Sequence, residues 1–109
     1  MKQQRKDAIR AYHESDKPMG VYRVHSDIAA RSIIGSSVDL RAALNRQRAQ
    51  LELASHPDTA LQAAWDELGA DGFEFEILDT LEPSDDPAYD LTGDLRELES
   101  MWRERLEGA

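Results

Sequence analysis

Two short apolar runs, each carrying a glycine, stand near the head of the chain, and their spacing constrains the fold more than any other feature. Gly20-Val21-Tyr22 belongs to the first run and Ile33-Ile34-Gly35-Ser36-Ser37 to the second, with Tyr22 and Ile33 eleven positions apart. Val21, Tyr22 and Val24 favour the extended state, so Gly20 to Val24 reads as a strand. His25-Ser26-Asp27 reads as a hairpin turn, and Ser32-Ile33-Ile34 as the returning strand, closed by Gly35. A helical pattern starts immediately afterwards.

The remaining elements follow from period and punctuation. Residues 5–15 predict a short helix, ended at Asp16-Lys17-Pro18 because proline disfavours helix in the residue before it. Asp39 suits a helix start, and Leu40, Leu44 and Leu51 recur at helical spacing to about Leu53. Pro57 suits the first position of another helix, and Asp58 its first turn. Leu61, Ala64, Trp65 and Leu68 form its buried stripe, and Gly69 stops it. Phe73-Glu74-Phe75-Glu76-Ile77 alternates as a strand with one buried face does. Residues 82–93 read as a surface loop. Asp94 and Glu97 resemble a capping box, and Leu95, Leu98, Trp102 and Leu106 form the stripe of a last helix. The order predicts an α+β domain: a small three-stranded, antiparallel-containing sheet flanked by helices over residues 19–109, with a helical extension over 1–18.

At 109 residues there is room for one core. The absence of cysteine excludes disulfides and thiolate metal sites. No apolar run approaches the roughly 20 residues of a membrane span, and the N-terminus lacks a signal peptide's apolar stretch, so the expectation is a soluble, cytoplasmic protein. The net charge of −9 opposes phosphate binding when taken whole. Its distribution does not. Residues 1–53 carry ten Lys and Arg against six Asp and Glu, a balance of +4, whereas residues 54–109 carry three against sixteen, a balance of −13. The basic half suits a nucleic-acid backbone, and the acidic half a basic protein partner.

These motifs in this order resemble the GIY-YIG nuclease superfamily over roughly residues 19–106. Gly20-Val21-Tyr22 corresponds to GIY, and Ile33-Ile34-Gly35 to YIG without its tyrosine. His56, Leu61-Gln62, Trp65, Gly69 and Phe73-Glu74-Phe75-Glu76-Ile77-Leu78 resemble the middle of homing-endonuclease-type members. Glu99 stands three residues before Trp102, as the family's metal-binding glutamate stands before its aromatic residue. The resemblance implies hydrolysis of DNA phosphodiester bonds with a single Mg2+ or Mn2+ held by Glu99. A tyrosine at Tyr22 and an activated water would supply the nucleophile, and an arginine would bind the scissile phosphate. The metal and the guanidinium are needed because negative charge accumulates on the phosphoryl oxygens.

The chain departs from this pattern where the arginine should be, because that position is Ala43. Arg46, one turn on and leaning back toward the N-terminus, is the candidate replacement, so Tyr22, Arg46 and Glu99 are the candidate catalytic residues. Arg41, Arg46 and Arg48, with His56, are the candidate nucleic-acid contacts. The alternatives stay open at this point. Tyr22 can equally be a core tyrosine with a bonded hydroxyl, Glu99 a surface acid, the arginines a solvated face, and His56 a cap at a helix start. An inactive relative that binds nucleic acid or protein through the same surface is the competing function.

Overall fold

The computed structural model describes residues 18–82, 86 and 88–107. The helix expected at 5–15, and with it the extension over 1–18, lies outside the described residues apart from Pro18. The elements run β1 (Met19–Ser26), β2 (Arg31–Ser37), α1 (Leu40–Glu52), α2 (Thr59–Leu68), a 3₁₀ turn (Ala70–Gly72), β3 (Glu74–Leu81) and α3 (Leu91–Leu106). The sheet order is β2-β1-β3, and both pairings are antiparallel. The α+β architecture is therefore the expected one.

The hairpin turn falls later than its sequence implies. His25 and Ser26 remain in β1, paired with Ser32 and Arg31, and the turn is Asp27–Ala30. It is held by Ala30 N donating to the Asp27 carbonyl (3.3 Å) and Ala29 N donating to Ser26 Oγ (3.2 Å). Polar side chains hid two strand residues, both of which are buried.

Alternation along β1 puts Gly20, Tyr22 and Val24 on one face and Val21, Arg23 and His25 on the other. Val24 packs with Leu51 of α1, with Leu61, Ala64 and Trp65 of α2, and with Phe73, so α1 and α2 cover the first face. Ser36 lies opposite Val21 and bonds Glu99 of α3, so α3 covers the second. The β3 alternation holds through Phe75, which faces Trp65 edge-on, but Ile77 is 44% exposed beside Tyr22. A bulge then sets Asp79 opposite Val21.

Aspartate caps each helix. The carboxylates of Asp39, Asp58 and Asp90 accept from the backbone N–H three residues on, at 3.1, 3.0 and 3.0 Å. Two expectations are thereby corrected. α2 begins at Thr59, not Pro57, with Asp58 as its N-cap closing the first turn. α3 begins at Leu91, one turn before the Asp94–Glu97 box, because Gly93 leaves the space that the Asp90 carboxylate fills. The α3 stripe also ends early. Trp102 is half-buried with its indole N–H on Asp79 (3.1 Å), and Leu106 is exposed.

Candidate active site

Tyr22 projects from the central strand across β2, and Gly35 makes this possible. A Cβ at Gly35 would lie 2.5 Å from the Tyr22 hydroxyl and 2.6 Å from Cζ, so the ring occupies the space of the missing side chain. Gly20 is required for a similar reason. Its φ is +155°, and a Cβ there would lie 2.0 Å from the Asp79 carbonyl. Ile33, at the place of the absent tyrosine, packs against the core beside Val24.

A polar chain runs from the tyrosine into the protein. Asp58 N donates to His56 Nδ1 (3.0 Å), so Nδ1 carries the lone pair and the ring is neutral. His56 Nε2 therefore donates to Gln47 Oε1, and Gln47 Nε2 donates to the Tyr22 hydroxyl (3.4 Å). The phenol accepts at one lone pair and keeps its own proton to donate. His56 is buried, with its N–H on Gln62 Oε1 (3.1 Å). It belongs to this interior chain and not to an exposed nucleic-acid surface. Its capping interaction with Asp58 is the bonding expected of a histidine at a helix start.

The second set of groups comes from α3. Glu99 Oε1 accepts from Ser36 Oγ (2.7 Å), and Oε2 faces Arg103 Nε (2.9 Å). Arg103 Nη2 also donates to the main-chain carbonyl of Ile34 (2.6 Å) on the edge strand β2. Burial raises the Tyr22 pKa above its ordinary value. The Gln47 hydrogen bond lowers it in part, Glu99 raises it, and the positive charges of Arg46 and Arg103 lower it. The structure thus brings Tyr22, Arg46, Glu99 and Arg103 into one electrostatic neighbourhood.

The three arginines of α1 do not share a face. At about 100° per residue, Arg46 stands about 60° from Ala43, while Arg41 and Arg48 stand about 140–160° from it. Arg48 pairs with Glu52 (3.6 Å) and lies over the Phe75 ring (5.3 Å). Arg41 is exposed. Ala43 itself is 5% exposed, packed where the helix meets the sheet.

Two participants escaped the sequence reading, Gln47 and Arg103. Each stands four residues after a position already singled out, Ala43 and Glu99, and so shares its helical face. A cleft of about 300 Å3 opens beside Glu99, lined also by Ser36, Thr92 and Arg96. Its donors near Glu99 are one carboxylate and two hydroxyls. An all-oxygen set with a single carboxylate fits a hydrated Mg2+ or Mn2+ that keeps most of its waters.

No family model matches the chain, and no curated protein sequence does. Two solved structures are similar over most of their length. One is a mutant form of the catalytic domain of intron endonuclease I-TevI, at 21% identity and a TM-score of 0.65, covering 82% of this chain and 84% of that one. The other is the catalytic domain of homing endonuclease I-TevI, at 25% identity and a TM-score of 0.63, covering 81% and 87%. The shared fold, carrying the ordered motifs at Gly20–Tyr22, Gly35, His56 and Glu99, supports membership of the GIY-YIG superfamily.

Proposed function

We propose that this domain cleaves DNA phosphodiester bonds with a site in which the guanidinium charge comes from Arg46 and Arg103 in place of the absent arginine at Ala43. The observation that carries this reading is that the charges of Glu99, Arg46 and Arg103 all act on the Tyr22 phenol, with Arg103 bonded to both Glu99 and the Ile34 carbonyl. Burial keeps Tyr22 protonated at neutral pH, so it acts as a relay: its free lone pair receives a proton from the attacking water while its own O–H gives one to a phosphoryl oxygen. Gln47 and neutral His56 fix the direction of that relay. Arg46 and Arg103 oppose the charge that develops on the phosphoryl oxygens, a role worth about 100–1,000-fold in rate per positioned donor. Glu99 would hold a divalent ion, which when bound polarises the phosphoryl oxygen.

A second reading is a domain that binds DNA and does not cut it. It is favoured by the buried Ala43 and by the engagement of both Glu99 oxygens. The basic protein partner expected for the acidic half finds no support in the comparisons. Among the described residues no helix is long and apolar enough to cross a membrane. Nicking of supercoiled plasmid with Mg2+ or Mn2+ separates the two readings. Cleavage that disappears in Glu99→Ala supports hydrolysis. No cleavage, or equal cleavage by both proteins, leaves the binding reading.

A further inference from the structure

On the sheet face opposite Tyr22, and about 10 Å further along β1, a second polar cluster joins β1 to β3. His25 lies directly across from Glu74, and Arg23 across from Glu76. His25 is 5% exposed. Its Nδ1 meets Asp27 Oδ1 at 3.1 Å, and because a carboxylate can only accept, that nitrogen carries the ring proton. The other nitrogen, Nε2, is buried and has no hydrogen-bond partner, although Glu74 Oε2 and Glu76 Oε1 stand 3.3 and 3.4 Å from it. Neither oxygen meets it with hydrogen-bond geometry. With Nδ1 as the donor to Asp27, a deprotonated Nε2 would turn its lone pair toward the two carboxylates, whose oxygens a shared cation could also engage.

We propose that His25, Glu74 and Glu76 form a binding site for a divalent transition-metal ion of the zinc class, separate from the Glu99 site. The two nitrogen-to-oxygen separations fit such an ion, and all three ligand atoms lie within 4.8 Å of one another. A tetrahedral centre with nitrogen at about 2.0–2.1 Å and oxygen at about 2.0–2.2 Å separates these ligand atoms by about 3.3–3.5 Å. Octahedral Mg2+, at about 2.0–2.1 Å, brings neighbouring ligands to about 3.0 Å or less and favours oxygen donors over nitrogen. Two oxygens placed beside the ring-nitrogen axis, and not on it, are arranged as co-ligands of a shared ion. Asp27 supplies the outer-shell carboxylate that metal-bound histidines use to fix their tautomer. Charge agrees as well. Asp27, Glu74 and Glu76 against Arg23, whose Nη1 is 3.5 Å from Glu76 Oε1, leave a local charge of −2 for a dication to close. A cavity of about 180 Å3 at His25, Asp27, Asp71 and Glu74 leaves room for water as the fourth ligand. The bound ion would tie β1 to β3 beside the hairpin turn.

The test is calorimetric titration of Zn2+ into the full chain carrying no polyhistidine tag, with Co2+ visible absorption as a second readout of tetrahedral geometry. One ion per chain is expected in the wild type and in Glu99→Gln. Glu74→Gln removes an exposed ligand with little risk to folding and should weaken binding at least tenfold, with loss of the cobalt bands. Asp27→Asn should weaken it about 10–100-fold. Absence of binding by the folded wild type overturns the proposal, and so does affinity unchanged in Glu74→Gln. Zinc binding that is lost in Glu99→Gln would place the ion at the other site and would equally overturn it.

Discussion

Gly35→Ala should displace the candidate catalytic tyrosine through steric contact alone. The new methyl would lie 2.5, 2.6 and 3.0 Å from the Tyr22 hydroxyl oxygen, Cζ and Cε2. Carbon contacts favour about 3.5–4.0 Å, so the ring must retreat by about 1 Å. A ring cannot bend, and the retreat forces an off-rotamer side chain, costing about 0.5–1.5 kcal/mol. It also pulls the hydroxyl from Gln47, at about 0.5–1.5 kcal/mol. The expected loss is about 1–3 kcal/mol, the usual range for overpacking. Urea unfolding of a double-mutant cycle with Tyr22→Leu measures this directly, because leucine lacks all three of the clashing atoms. In the Tyr22→Leu background the same substitution should cost less than about 0.5 kcal/mol, and relief of unfolded-chain entropy can make it slightly stabilising. An equal cost in both backgrounds would refute the contact as the reason for glycine.

Three further outcomes are expected. Burial holds the folded Tyr22 pKa above that of the unfolded chain, so its contribution to stability is present below about pH 10 and lost as pH rises beyond it; a tyrosine ionising well below pH 10 in the wild type but missing from Tyr22→Phe, seen by tyrosinate absorbance, would contradict this. Arg103→Ala frees one oxygen of a part-buried Glu99, so Mn2+ affinity there should rise about 2- to 5-fold by calorimetry while any cleavage falls about 100-fold or more; unchanged cleavage would remove Arg103 from the site. Arg46→Ala should weaken DNA binding uniformly across sequences and lower the salt slope of binding by about 1, whereas Arg48→Ala, whose guanidinium is held by Glu52 and Phe75, should change it little. Binding that is insensitive to Arg46→Ala would count against both DNA readings.

The sequence carried the hairpin, the α1 and α2 stripes and the strand at Phe73 because each depends on local period. It misplaced the hairpin turn because His25 and Ser26 look like loop residues, and only pairing with Arg31 and Ser32 keeps them in β1. The start of α3 was obscured by Thr92 and Gly93, weak helix formers whose place is settled by the Asp90 cap. Tyr22 and Glu99 could be singled out by motif, whereas Gln47 and Arg103 could not. A glutamine or arginine on a helix surface has many possible partners, and His56, Tyr22 and the Ile34 carbonyl are chosen only when the sheet and helices close. The three α1 arginines looked alike in the sequence, yet Arg48 lies over Phe75 whereas the charge of Arg46 is felt at Tyr22.

Arg103 grips the edge strand by the carbonyl of Ile34, an atom that every residue type supplies. Part of the alignment of α3 with the sheet is thus anchored to backbone, beside the Ser36 hydroxyl that holds Glu99 from the same strand. An isoleucine at position 33 therefore leaves that backbone anchor intact. In such a domain, the absence of a motif side chain does not by itself report the loss of the geometry around it. The residue whose loss would register is one that no motif contains.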